Sequence, residues 1–258
     1  MAINFDDSLT EYWLGTSNLS SSVPVTMLIR FNASSAVVND TMFGIGHSAN
    51  TTDYITLGVH SDSGGIVRFG GRDGGFDVGG CDSTTALTVG TDHTAAATLT
   101  TTASAVWLDG GSKGTGVNSY DWPTMNQYAL GALPRSTVII PFDGSLSEAT
   151  LLTIEASDAD ILRHANGESP FSIWPFADIA YHQSMISDTR TVWDKGTQAS
   201  GTDSGKISHP RVIYPVGPSY AFPPVAAPEI DIQGNSLSIA NGEAASVAKG
   251  TDYGDVVV

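Results

Sequence analysis

Polar and apolar residues alternate along much of this chain. Ala95, Ala97 and Leu99 stand against Ala96, Thr98 and Thr100 with a period of two. Val106 and Leu108 stand against Ala105 and Trp107 in the same way. Such alternation predicts strands with two distinct faces. Asp109-Gly110-Gly111 follows the second run and supplies residues that accept positive φ, which predicts a tight hairpin turn. Further strands are predicted at 3–6, 23–31 and 66–69, with a pair over 42–59 joined by the polar run Ser48 to Thr52. Leu146, Ala149 and the run Leu151 to Ile154 predict another. Residues 70–80, GGRDGGFDVGG, offer apolar positions only at Phe76 and Val78 and read as a Gly-Asp loop.

One stretch changes period. Ser157-x-x-Asp160 has the form of a capping box, Ile161, Leu162 and Ala165 share a helical face, and Asn166-Gly167 closes it. Pro170 forbids continuation. No other stretch holds a 3.6-residue period, so the expected fold is all-β with one short helix. Past it, Trp174, Phe176, Ile179 and Tyr181 read as a segment running back across the sheets. Asp188 to Ser208 is rich in Gly, Ser and Thr, and six prolines between Pro210 and Pro228 favour an extended, semi-rigid arm. The expected organisation is a β domain over 1–184, an extended arm over 185–227 and a short β segment over 228–258.

Composition narrows the classes of function. A hydrophobic content of 41% over 258 residues allows a packed core. The net charge of −16 argues against nucleic acid, whose binding rests on Lys and Arg at phosphates, and against an anionic membrane surface. Cys81 is the sole cysteine, so no intrachain disulfide forms. The opening MAINFDDSLTEYW has neither a basic n-region nor an apolar h-region, and nothing later approaches a membrane span. Cytoplasmic assembly, with release by lysis as for virion proteins, is the expectation from that opening.

Two resemblances add to this reading. The runs "H-T-A-A-A-T…A-V-W-L-D-G" from His93 and "F-D-G-S-L-S-E-A…S-D-A-D-I-L-R-H-A-N-G" from Phe142, with the opening strands at Ile3 to Asp6 and Val23 to Phe31, resemble the concanavalin A-like lectin/glucanase domain of the laminin-G type. The resemblance spans about residues 2–184. It implies a two-sheet antiparallel jelly roll, a strand-start structural place for His93 and, as in some members, a calcium site. Pro228, Glu229, Ile230, Gly234, Ile239, Gly242 and Thr251-Asp252-Tyr253-Gly254 resemble the opening of a choice-of-anchor D domain. Thirty-one residues bury too little surface to stand alone. Their strands are therefore expected to pair with the jelly roll or with another subunit, through Ile230, Ile232, Ile239 and Tyr253. A lectin-like fold joined to the tail H-P-R-V-I-Y-P resembles phage-encoded surface proteins, which implies virion partners.

Candidate chemistry is sparse. A glycan hydrolase of this fold needs paired acids, as in Glu-x-Asp-x-x-Glu on one strand. The nearest match, Glu229-Ile230-Asp231-Ile232-Gln233-Gly234, lacks the third acid, and Glu148 and Glu155 stand seven apart, so no enzyme is expected. Gly110-Gly111-Ser112-Lys113-Gly114 has the letters of a nucleophile elbow but no helix after it. Six histidines (47, 60, 93, 164, 182, 209) show no zinc spacing. Calcium would draw on Asp73 and Asp77, with Asp62 and Asp82 near in sequence, though solvated turn aspartates are the plainer reading. Sugar recognition would use Tyr120 and Trp122 for stacking and Asp121 for hydroxyls, while Trp122 equally reads as a plug at the core's edge. The leading expectation is a non-enzymatic virion surface protein, a capsid decoration or tail-associated protein. The alternative is a carbohydrate-binding module.

Overall fold

The computed structural model describes residues 2–9, 11–37, 39–61, 64–74, 76–118, 125–185, 200–202, 230–233 and 236–239. In chain order its strands begin with β1 (Ile3–Phe5), β2 (Tyr12–Gly15), β3 (Val25–Ala33), β4 (Asp40–Gly46) and β5 (Tyr54–His60). They continue with β6 (Ile66–Asp73), β7 (Phe76–Ala86), β8 (Asp92–Leu99), β9 (Ala103–Leu108), β10 (Gly114–Val117) and β11 (Gln127–Leu130). After β12 (Gly144–Leu152) come α1 (Asp158–Ala165), α2 (Pro170–Ile173), β13 (Ile179–Gln183), β14 (Ser200–Thr202), β15 (Ile230–Gln233) and β16 (Ser236–Ile239). The chain divides into two compact units, Met1–Gly217 and Pro218–Val258.

The first unit is a sandwich of two seven-stranded antiparallel sheets. The first sheet runs β1-β12-β3-β8-β9-β10, with β13 also pairing β12; the second runs β14-β2-β11-β4-β5-β6-β7. The period-two pattern does what it predicts. Met27, Ile29, Phe31, Ala95, Ala97, Val106 and Leu108 face inward and meet Phe43, Ile55, Leu57, Phe69 and Tyr128 of the second sheet in one core. The alternate positions of the first sheet are not left to water. Leu28, Ala96, Ala105, Trp107 and Leu152 form a second cluster with Ile161, Trp174 and Ile179, beneath the helical segment. The first sheet is thus buried on both faces where the helical segment covers it.

Helix α1 starts as expected: the Ser157 side chain accepts from the Asp160 amide. Its buried face, however, is Ile161 and His164, while Leu162 is 45% exposed. Helix α1 already ends at Ala165 with Asn166 as its cap, and Pro170 opens a second helix, α2, behind a Ser169 cap, so the described residues hold two α-helices where one was expected. Trp174, Ile179 and Tyr181 are buried as read, but Phe176 is 65% exposed.

The expected Gly-Asp loop is instead the hairpin β6–β7, in which Gly71 pairs Val78 and Arg72 pairs Asp77. A Cβ on Gly71 would lie 2.2 Å from the carbonyl oxygen of Tyr54, so that glycine serves close strand packing rather than a loop. The turn at Asp109-Gly110 follows expectation, with φ of 55° and 70°. Gly110 also abuts α1, where a Cβ would meet Leu162 Cα at 2.9 Å.

Within 185–227, β14 pairs β2 in the second sheet. In the second unit β15 and β16 form an antiparallel hairpin with Ile230 opposite Ile239 and Ile232 opposite Leu237. Tyr253 lies outside the described residues.

Burial raises the Asp40 carboxyl to about 7, and the nearby charges of Asp7 and Asp143 add to the rise. A carboxyl raised in the fold contributes its stability at low pH and loses it as pH climbs through about 7. Asp40→Asn should therefore gain thermal stability over the parent progressively between about pH 4 and pH 7 and level off above it. Melting curves across that range check it; a pH-independent difference would reject the assignment.

Candidate functional site

The site begins with a register break. Along β12, Leu146 pairs Phe31 and Glu148 pairs Arg30, which leaves Ser147 as an extra residue. Such a bulge turns neighbouring side chains toward one face. Ser145 opposite Asn32, then Ser147 and Glu148, consequently share the outer face with Arg30. On the other side of β3, Asn32 pairs Asp92 and Arg30 pairs Thr94. The outer face that is apolar around Leu28 and Trp107 becomes polar toward Asn32.

At this boundary lies a buried charge cluster. Arg30, Glu148 and His164 are 3%, 2% and 1% exposed. Arg30 Nε stands 3.3 Å from Glu148 Oε2, and His164 Nε2 stands 2.8 Å from Glu148 Oε1. Arg30 Nη2 donates to the carbonyl of His164 and, at 3.5 Å, to that of Glu168. A cation on the last carbonyls of α1 satisfies helix-end acceptors and opposes the helix dipole. Burial alone would raise the Glu148 carboxyl; the Arg30 charge and the His164 hydrogen bond outweigh it and hold Glu148 well below the usual range. Burial lowers His164, so its ring is neutral and Nε2–H is the donor to Glu148.

Beside this cluster opens a cavity of about 210 Å³. Its lining includes Arg30, Asn32, Asp92, Thr94, Asp109, Ser145, Ser147 and Asn166, with Phe31 and Ala165 among its apolar atoms. Arg30 Nη1 has no hydrogen-bond partner among the described residues, unlike Nε and Nη2. Asp92 Oδ1 accepts from Asn32 Nδ2 at 3.0 Å. Asp109 is held at both oxygens, by the Thr94 amide at 2.9 Å and by His93 Nδ1 at 2.8 Å. The Asp109 hydrogen bond raises His93 above its ordinary value. His93 thus ties strand β8 to the β9–β10 turn.

The residues singled out from sequence fall elsewhere. Tyr120, Asp121 and Trp122 lie outside the described residues. Asp73 and Asp77 occupy successive rungs of the β6–β7 ladder, opposite Phe76 and Arg72. Asp62 is outside the described residues. Among the described residues no group of three or more His, Cys, Asp or Glu is arranged to hold a metal ion. Cys81 is buried and its thiol is pushed up to about 11, which removes it as a nucleophile at neutral pH. The cavity residues themselves carry no motif. The one signal available was the pair of polar residues, Arg30 and Asn32, on the outer face of a strand whose neighbours are apolar.

No family model matches the chain, and no curated protein matches its sequence. Among solved structures, the fold is similar to that of a Bacteroides ovatus protein assigned to carbohydrate binding, with a TM-score of 0.57 and 16% identity over 78% of this chain and 57% of that one. The match therefore spans little more than half the length of that protein. The fold is also similar to a heptameric SAP-like pentraxin from Limulus polyphemus (TM-score 0.52, 12% identity, 64% of this chain and 81% of that one). A third is the CBM40 of Ruminococcus gnavus IT-sialidase bound to alpha2,3 sialyllactose (TM-score 0.51, 16% identity, 64% and 98%). At these identities the likeness is one of fold, and the fold is the lectin-like jelly roll.

Removing one member of a buried ion pair strands the other charge. Glu148→Ala should cost about 3–5 kcal/mol, and the apolar double replacement Arg30→Met with Glu148→Leu should recover much of that. Urea unfolding of the three chains measures both; equal losses in single and double variants would contradict the coupling.

Proposed function

We propose that the first unit is a carbohydrate-binding domain without catalytic activity. The observation that carries this reading is the polar cavity beside Arg30. Sugar recognition needs closely set donors and acceptors for vicinal hydroxyls, and the lining supplies a guanidinium, two amides, three hydroxyls and two carboxylates. Its volume, about 210 Å³, is below the about 300–1,000 Å³ of sites that take drug-sized ligands, so it suits a single sugar ring. The fold similarity to proteins named for carbohydrate binding supports the same reading. Binding rather than hydrolysis fits the state of its acids: Glu148 is locked in an ion pair and both oxygens of Asp109 are engaged.

A second reading, attachment to a virion as a decoration or tail-associated protein, is favoured by the second unit. Its described strands form a two-stranded hairpin, a unit marginal in water without further pairing. Under this reading Ile230, Ile232 and Ile239 dock on another subunit, and light scattering would find the full chain oligomeric and a chain ending at residue 227 monomeric. Two monomers would remove it.

Asn166 is exposed at the cavity mouth, where a larger side chain can enter without disturbing the core. Asn166→Trp should abolish binding to any glycan found on an array screen, and Ser145→Ala should weaken it about tenfold, which is about 1.4 kcal/mol. Retention of full affinity by Asn166→Trp would place the sugar site elsewhere.

A further inference from the structure

The carbohydrate-binding reading leaves the class of sugar open, and the charges around the cavity narrow it. Arg30 is the one cation an acidic sugar would seek there, and its charge is already committed. Nε faces Glu148, Nη2 faces the carbonyl of His164 in α1 and that of Glu168 just beyond it, and only Nη1 is left for a ligand. Opposite it, Asp92 and Asp109 present carboxylates, acceptors that offer no proton to a second carboxylate. His93, also on the wall, is hydrogen-bonded to Asp109, so a proton on it offsets that aspartate and leaves Asp92. With Glu148 set against Arg30, the cavity is net negative whether or not His93 is protonated. Among the described residues no three ligating side chains converge to hold a metal ion, and the Arg30 guanidinium on the same wall disfavours a cation.

From these charges we infer that the cavity takes an uncharged sugar at the end of a glycan and turns away sialic and uronic acids, a specificity that rests on the carbohydrate-binding reading above. Hydroxyls of a neutral ring donate to Asp92 and Asp109 and accept from Arg30 Nη1, with Asn32, Asn166 and the serines completing the set. A carboxylate in the same place meets like charge at short range in a partly desolvated pocket. The rejection is therefore electrostatic rather than steric.

The test is a glycan array holding neutral glycans beside counterparts that differ by a terminal sialic or uronic acid. Titration calorimetry of the best neutral glycan and its acidic counterpart, at low and high salt, then gives the affinities. The expected result is binding of the neutral member, with the acidic one weaker by about tenfold or more at low salt and the gap closing as salt rises. Asp92→Asn should narrow the gap at low salt. Equal or tighter binding of the acidic member overturns the inference while the carbohydrate reading stands. A gap indifferent to salt and to Asp92→Asn also overturns it, because the rejection is then one of shape. Absence of any glycan binding, by a chain with an intact unfolding transition, removes the carbohydrate reading and the inference together.

Discussion

The ion pair between Arg30 and Glu148 is the constraint around which the outer face of the first sheet is arranged. A buried charge pair is costly to desolvate and is retained only where its remaining hydrogen-bonding groups are satisfied. Here His164 satisfies Glu148 from the helix side, and the carbonyls of His164 and Glu168 satisfy Arg30 Nη2, while Nη1 is turned to the cavity side of the pair without a protein partner among the described residues. The pair therefore joins two strands to the C-terminal end of α1. It also marks where an apolar interface ends and a polar cavity begins, with Leu28, Trp107 and Ile161 on one side and Asn32, Asp92 and Ser145 on the other.

Covering a sheet on both faces makes a particular demand on sequence. A strand with one face in water alternates apolar and polar residues, whereas one buried twice is apolar throughout. Strand β8 meets this with small residues: Ala95 and Ala97 belong to the inner core, and Ala96 lies beside Trp107, its partner on β9, in the outer one. Small side chains let the sheet lie close to both layers, and Trp107 and Trp174 fill the outer interface. The threonines do the polar part of the work. Thr26 Oγ1 donates to the Ile154 carbonyl and accepts from the Ala156 amide, pinning the chain where it leaves β12 for the helix.

The fold was legible because its signals are local. Two-residue periodicity, the Asp109-Gly110 turn and the Ser157 cap each depend on neighbours in sequence, and each appears in place. The errors were of two kinds. Glycines 70–80 read as a loop because composition does not distinguish a glycine that frees the backbone from one that lets Tyr54 approach. Leu162 shares an apolar helical face with Ile161 and Ala165 in the sequence, yet His164 is the one that is buried, because it has a partner, Glu148, beneath it. A buried histidine persists only when such an acceptor exists, and although Glu148 stands only 16 residues before His164, no local pattern shows that the chain turns back to set one beneath the other.

The cavity was illegible for a related reason. Its lining comes from six places in the chain, the N-terminus, β3, β8, the β9–β10 turn, β12 and the end of α1, and none of these carries a motif. What assembles them is register. Were the pairing regular instead of bulged, Ser147 would stand opposite Arg30 and Glu148 opposite Ile29, facing the inner core, since successive strand residues alternate sides. The single extra residue keeps Leu146 and Ala149 in the inner core while placing Ser147 and Glu148 together outside. Core packing, the ion pair and the polar wall of the cavity thus have one determinant, and the site is a property of how two strands pair before it is a property of any residue in it.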